Sequence, residues 1–280
     1  GIGKSRLAHE FKIALMATGA IQWLNCQADG ILRKSFNPFI FFLRSYFKQS
    51  AEQSSNRNLD RFEARFNSLL QQLAQDPKAK VKALRDELLR TKSILAALIG
   101  IVYFDALWEQ LDAKGRYENT IAAIINLLLC EATIRPTIIE IEDAHWLDPN
   151  SLELLEELLR QSKDYPVILL LISRFSDSGN KPDFFHSELA EDANRPVLEL
   201  QLHDLDDQIA RLLIEQKLKG PLRQEFYDVL QRTTNNNPFY LQQLLEFFLE
   251  HNSLLKKDGE WTLRDEAIPL TDSIHTVLTA

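Results

Sequence analysis

The chain has 280 residues, of which 45% are hydrophobic and 26% are charged. This composition supports a sizeable core and excludes disordered, collagen-like and low-complexity proteins, and the length predicts one large domain or two smaller ones. The net charge of −8, from 40 acidic and 32 basic residues, excludes a broad basic surface, so we expect no direct binding of nucleic acid by this segment.

The cysteine content and the apolar runs indicate the compartment. Cys26 and Cys130 are too few for a disulfide framework, and we interpret them as buried free thiols in a reducing, cytoplasmic environment. The longest uncharged apolar run, residues 94–104, is shorter than the roughly 18 residues that a membrane helix needs. No basic-then-apolar leader opens the chain, so we expect no membrane association.

The chain opens on a partial phosphate-binding motif. Residues 1–5 read Gly-Ile-Gly-Lys-Ser, which matches the end of the P-loop pattern G-x-x-x-x-G-K-[ST]. In that loop glycine lets backbone N–H groups approach phosphate, the lysine reaches the β- and γ-phosphates, and the hydroxyl ligates Mg²⁺. The first glycine of the pattern and the strand before it would precede residue 1, so we expect a fragment of a longer protein. So short a pattern can also arise by chance, and it needs a partner motif.

Strands and helices then alternate along the chain. Leu7, Phe11, Ala14 and Leu15 recur at helical spacing directly after the motif. Strands are predicted at residues 20–26, 136–143, 167–172 and 197–202, and the run 167–172 is typical of a fully buried parallel strand. Helices are predicted at residues 36–47 with Pro38 near the start, at 117–131, and at 151–161 with Ser151 as a possible cap. This alternation predicts an α/β fold with a parallel sheet.

Two further regions are mainly helical. A charged, leucine-containing stretch at about residues 50–115 predicts a helical insert. Beyond residue 202 helices are predicted at 208–219, 222–233 and 240–251, and no strand of comparable strength follows. We therefore place a domain boundary near residue 202.

The predicted strand 136–143 ends in two carboxylates, Glu142 and Asp143. In P-loop ATPases an acid at the carboxyl end of a central strand holds Mg²⁺, and a neighbouring acid polarises the attacking water. A pair of solvated acids in a strand-to-helix loop is the alternative interpretation. The motif Gly3-Lys4-Ser5 upstream favours the catalytic one.

Four segments resemble one family. The sequence Glu142-Asp143-Ala144-His145-Trp146-Leu147-Asp148 resembles the extended Walker B motif of the STAND class of signalling ATPases, which are relatives of the AAA+ proteins. Residues 1–7 resemble the end of that family's P-loop, residues 170–174 its sensor strand, and residues 236–240 its Gly-Asn-Pro-Phe segment. The resemblance implies a P-loop NTPase parallel sheet flanked by helices in residues 1–202. A helical lid in residues 203–280 would follow, leading toward a truncated C-terminal region.

The resemblance also implies roles for individual residues. Asp143 would activate the attacking water, Glu142 and Ser5 would hold Mg²⁺, and Arg174 would sense the γ-phosphate of ATP. Pro238 would contact the adenine base from the lid. The remaining nucleotide-binding residues belong to the P-loop: Gly1, Ile2, Gly3, Lys4, Ser5 and Arg6.

Three positions depart from the family pattern. Asn236 replaces the glycine of the lid segment, although asparagine tolerates a left-handed backbone. Glu142 is one methylene longer than the usual aspartate. Glu140 occupies a strand position that is usually apolar, and a buried carboxylate needs a partner.

The implied function is Mg-ATP binding and slow hydrolysis as a conformational switch in a bacterial multidomain signalling or transcriptional regulator. Its partners would be output and sensor domains of the same polypeptide, with nucleotide-dependent self-association. Two alternatives stay open. One is a nucleotide-binding scaffold without hydrolysis. The other is a small-molecule phosphotransferase, which would need a cluster of basic residues that the sequence does not show.

Overall fold

The structure is a computed structural model, and it describes residues 2–31, 34–175, 181–182 and 196–264. The chain divides into two compact units. One unit comprises residues 9–197. The other comprises residues 1–8 together with residues 198–280.

The larger unit contains a parallel sheet flanked by helices. The first helix, α1, begins in the other unit and continues into this one. The elements in chain order are α1 (Lys4–Met16), β1 (Gln22–Gln27), α2 (Asn37–Tyr46), α3 (Ser55–Leu73), α4 (Ala79–Arg90), α5 (Lys92–Leu98), α6 (Leu107–Gln110), α7 (Ala113–Ile134), β2 (Thr137–Glu142), α8 (Pro149–Gln161) and β3 (Val167–Leu171).

The sheet has the order β1-β2-β3, and both strand pairs are parallel. The register places Asn25 opposite Glu140 and Gln27 opposite Glu142. Because side chains alternate along a strand, the other face carries Leu24, Ile139 and their neighbours, which pack into the main core. The carboxyl ends of all three strands meet at one edge, as the α/β prediction requires.

The predicted helical insert is present as α3 to α6, and its apolar residues join the same core. A buried carboxylate connects the insert to the sheet. Glu131 on α7 accepts hydrogen bonds from Arg65 Nη2 on α3 and Gln22 Nε2 on β1, each at 2.7 Å, and from the hydroxyl of Tyr46 on α2. Since each donor comes from a different element, Glu131 fixes four elements against one another.

The interpretation of the two cysteines as buried free thiols is confirmed. Cys26 and Cys130 are free and buried, and burial raises the pKa of both thiols, with nearby glutamates adding to the effect. The aromatic segment 36–47 contributes Phe36, Phe39 and Phe42 to the core, whereas Phe41 is exposed. Within the described residues, no helix combines the length and the apolar character needed to cross a membrane.

Besides the start of α1, the described residues of the smaller unit form three helices and a hairpin: α9 (Asp207–Leu218), α10 (Gln224–Thr234), α11 (Pro238–Glu250), β4 (Leu254–Lys257) and β5 (Glu260–Leu263). The three helices agree with prediction and share an apolar core. The hairpin was not predicted. Asp258 and Gly259 form its two-residue turn with φ of 55° and 85°, the type I′ geometry for which Asp-Gly is preferred.

Three sequence predictions are wrong. Residues 197–202 form no strand, and Leu198 is 81% exposed; a strand needs a hydrogen-bonded neighbour, and the described residues offer it none. β3 is not fully buried, because Ile168 is 59% exposed and its neighbours along the strand are only partly buried. Asp148, not Ser151, caps α8: its carboxylate accepts from the backbone N–H and the hydroxyl of Ser151.

Candidate functional site

The predicted phosphate-binding residues lie at the start of α1. Gly3 has φ of 97°, a conformation that favours glycine, and its carbonyl accepts the N–H of Leu7 at 2.9 Å. The N–H groups of Lys4, Ser5 and Arg6 therefore fall in the first helical turn, where no intrahelical acceptor exists. Such a helix end is suited to anions. Ile2 precedes this turn, half-buried, and Gly1 lies outside the described residues.

The acidic pair lies where β2 ends. Glu142 is the last residue of β2, and its carbonyl accepts the N–H of Ala28, the residue after β1. Asp143 adopts a left-handed conformation with φ of 54° and ψ of 41°. The next N–H, of Ala144, donates to the carbonyl of Ile172 beyond β3. These backbone bonds hold Glu142 and Asp143 at the carboxyl edge of the sheet.

A short 3₁₀ turn, Ala144–Trp146, follows the acids and contacts Arg174. The Nε of Arg174 donates to Nε2 of His145 at 3.1 Å, so this histidine is a hydrogen-bonding residue at the strand end. The Arg174 guanidinium carbon also lies 5.5 Å from the centre of the Trp146 ring. On the loop after β1, a Cβ added to Gly30 would come within 2.7 Å of the Trp146 indole.

The structure thus assembles Glu142, Asp143 and Arg174 at one edge of one sheet. Lys4, Ser5 and Pro238 belong to the other compact unit. The metal ligands assigned from sequence, Ser5 and Glu142, offer only oxygen atoms, the donor type that Mg²⁺ prefers. In the ranges that the structure describes, no cluster of three or more His, Cys, Asp or Glu side chains is arranged to hold a metal ion.

Pro238 begins α11 in the smaller unit, and the segment before it is held by side chains. Asn235 and Asn236 are both left-handed, with φ of 50° and 57°, so position 236 has the backbone conformation that asparagine was expected to tolerate. Asn236 is buried and donates to Asp207 at 2.7 Å. Asn237 caps the helix by accepting the N–H groups of Phe239 and Tyr240. Pro238 therefore stands on a fixed first turn.

Sequence reasoning did not find the partner of Glu140. The Nε1 of Trp23 on β1 donates to Glu140 Oε2 at 2.7 Å, and both residues are buried. Trp23 in turn packs edge-on against Phe11 of α1. The only sequence signal for this pair was the presence of Trp23 in the preceding predicted strand. The strand register that brings Trp23 to Glu140 is set by the fold.

We expect Trp23→Phe to lower the free energy of unfolding by about 2 kcal/mol, because a buried carboxylate then loses its donor. Urea denaturation measures the change. The double variant Trp23→Phe/Glu140→Leu removes both polar groups and should recover part of the loss. Strictly additive effects of the two substitutions would contradict the coupling.

We expect Gly30→Ala to destabilise the larger unit by about 1–3 kcal/mol, since the added methyl overlaps the Trp146 ring. The denaturation midpoint is the measurement. Gly220→Ala is the matched control, because its added Cβ would lie at ordinary contact distance, 3.4 Å from both Lys256 Nζ and Trp261 Nε1. Equal midpoint shifts for the two variants would show that the Trp146 contact is not responsible.

Comparison with known proteins identifies the family. A family model described as an AAA ATPase domain matches residues 1–172. An uncharacterized protein of Rhizobium meliloti (strain 1021) is 29% identical over 141 residues, which cover 49% of this chain and 12% of that protein. The chain therefore spans only a small part of that relative. No solved structure matches the chain significantly.

Proposed function

The chain belongs to the AAA ATPase domain family, and from this premise we propose that it binds Mg-ATP and hydrolyses it slowly as a conformational switch. The observation that carries the proposal is the acidic pair Glu142-Asp143, held at the carboxyl end of the central β2 strand within the segment that the family model matches. Two adjacent carboxylates at that position meet the requirements of metal-assisted attack of water on a phosphoryl group.

The proposal gives each group a distinct role. Lys4 and the first-turn N–H groups of α1 hold the phosphates, and Ser5 and Glu142 supply oxygen ligands for Mg²⁺. Bound Mg²⁺ neutralises charge on the phosphate oxygens. Asp143 orients a water and accepts its proton, while Arg174 contacts the terminal phosphate. These roles come from the resemblance to the STAND class, and the local geometry described above is compatible with them.

The switch is the part of the proposal that concerns the smaller unit. We assign residues 203–280 as a helical lid in which Pro238 contacts adenine, and residues 1–202 as the ATPase core. ATP would then bind residues of both domains, and loss of the γ-phosphate would remove one set of these contacts. Output and sensor domains of the same polypeptide would read the change, in a bacterial signalling or transcriptional regulator that self-associates with nucleotide.

The scaffold alternative is weakened by one observation. A carboxylate without a partner inside the β2 strand would favour a nucleotide-binding protein that hydrolyses nothing. Glu140 is now accounted for by Trp23, so it is a structural residue of the sheet. The acidic pair at the strand end is separate from it and remains available for chemistry.

Equilibrium titration tests the proposal directly. ATP is titrated into the protein by calorimetry with Mg²⁺ and again with EDTA, and ADP is titrated under the same conditions. We expect saturable ATP binding that strengthens with Mg²⁺. No binding in either condition would contradict the proposed function.

Pro238→Ala should weaken ATP binding about tenfold, because two methylenes at roughly 0.8 kcal/mol each leave the adenine contact. The helix should persist, since alanine is tolerated in a first turn. Preference for ATP over GTP should also fall, and titration with both nucleotides measures it. Pro221→Ala in the same unit is the control. Unchanged affinities in Pro238→Ala would remove Pro238 from the site.

A further inference from the structure

Arg174 is contacted on two sides by consecutive residues. Its Nε donates to Nε2 of His145, and its guanidinium lies over the ring of Trp146 at a distance typical of a cation–π contact. The two aromatic rings are themselves adjacent, with centres 4.6 Å apart.

These two residues are held by their surroundings. The 3₁₀ turn that carries them is closed by hydrogen bonds from Trp146 N–H to the Asp143 carbonyl and from Leu147 N–H to the Ala144 carbonyl. The indole of Trp146 lies directly against the backbone of Gly30, where no side chain could fit. The contacts with Arg174 are therefore made by side chains whose own positions are fixed at the sheet edge.

We infer that His145 and Trp146 are positioning residues that order the Arg174 guanidinium for a terminal phosphate. The bond to His145 uses Nε alone, and within the described residues no hydrogen bond uses the two Nη groups, which form a planar fork that suits phosphate oxygens. The inference rests on the proposed function, because the anion is the γ-phosphate of ATP. It goes beyond that function because it assigns His145 and Trp146 the role of positioning Arg174.

The energetic reason is that the Arg174 side chain is already ordered before an anion binds. A free arginine side chain loses conformational entropy when it is fixed. A guanidinium that is already bonded to His145 and stacked on Trp146 loses less of that entropy on meeting an anion. Since only ATP carries a γ-phosphate, the effect should appear as preference for ATP over ADP.

The first measurement needs no nucleotide. The Nε–H signal of Arg174, assigned by its disappearance in Arg174→Lys, is followed by NMR, and its hydrogen exchange with solvent is measured. We expect exchange at least about tenfold faster in His145→Ala, which removes the acceptor. His145→Gln keeps an acceptor oxygen and should restore slow exchange. Denaturation midpoints of the variants verify that each is folded.

The second measurement is the ratio of ADP to ATP dissociation constants. Arg174→Ala should abolish the preference for ATP, His145→Ala and Trp146→Ala should reduce it several-fold, and His145→Gln should restore it. Unchanged Nε–H exchange in His145→Ala would overturn the inference. Faster Nε–H exchange in His145→Ala with an unchanged preference for ATP over ADP would also overturn it. The contact between His145 and Arg174 would then be only structural.

The result that would contradict the proposed function differs from the results that would contradict the positioning role. If the unsubstituted protein binds no ATP, the nucleotide roles of all residues are wrong, including the phosphate-directed part of this inference. If it binds ATP and Arg174→Ala lowers the preference while His145→Ala does not, the proposed function stands and the positioning role is wrong.

Discussion

Lys4→Ala should reduce the affinity for ATP by at least about 30-fold, since removing one partner of a close charge pair costs about 2 kcal/mol or more. The lysine follows Gly3 in the first turn of α1, where the helix end itself favours anions. Its charge meets the phosphates in the ground state, so the loss should appear in binding and not only in turnover. Calorimetric titration with Mg-ATP is the measurement.

Lys12→Ala provides the matched control, because Lys12 is a lysine of the same helix whose ammonium lies over the Trp23 ring, 5.8 Å from its centre. It should leave ATP affinity unchanged. Equal losses in the two variants would indicate a general electrostatic effect and would contradict a specific phosphate contact by Lys4.

Asp143→Asn should lower ATP hydrolysis by about 10²-fold or more while leaving ATP affinity near that of the unsubstituted protein. Asparagine matches aspartate in size, and it accepts the left-handed conformation that Asp143 adopts, with φ of 54°. The substitution therefore removes the charge and preserves the turn. Phosphate release at saturating Mg-ATP measures turnover, and titration measures affinity.

Two further variants separate the explanations for such a loss. Asp105→Asn changes another left-handed aspartate, φ 54°, in the insert, and should leave turnover unaffected. Glu142→Gln should instead raise the Mg²⁺ concentration needed for ATP binding, because that carboxylate is assigned to the metal. Undiminished turnover in Asp143→Asn would refute its assignment as the group that activates water.

The elements with strong local signals could be predicted from the sequence. The acidic pair, the three parallel strands and the helices of the smaller unit all lie close to their predicted positions. The turn at Lys257–Glu260 also had a local signal, since Asp-Gly between two short apolar runs is typical of a hairpin. The strong helical pattern of the neighbouring residues outweighs this short signal.

Other features depend on distant residues and could not be predicted. Residues 197–202 have an apolar pattern typical of a strand, but a strand forms only beside a partner. Glu140 is satisfied by Trp23, which lies 117 positions away along the chain. The contacts of Arg174 and Gly30 with the His145-Trp146 turn also depend on the fold, because these residues meet only where the three parallel strands end at one edge.

The central claim is that the chain hydrolyses ATP and that this hydrolysis requires Mg²⁺. The most direct measurement is the release of inorganic phosphate from ATP by the purified protein, followed under single-turnover conditions with Mg²⁺ and with EDTA. The account predicts slow release that requires Mg²⁺ and the Asp143 carboxylate. Binding of ATP without any release of phosphate would contradict hydrolysis, and release that continues at the same rate in EDTA would contradict the metal site.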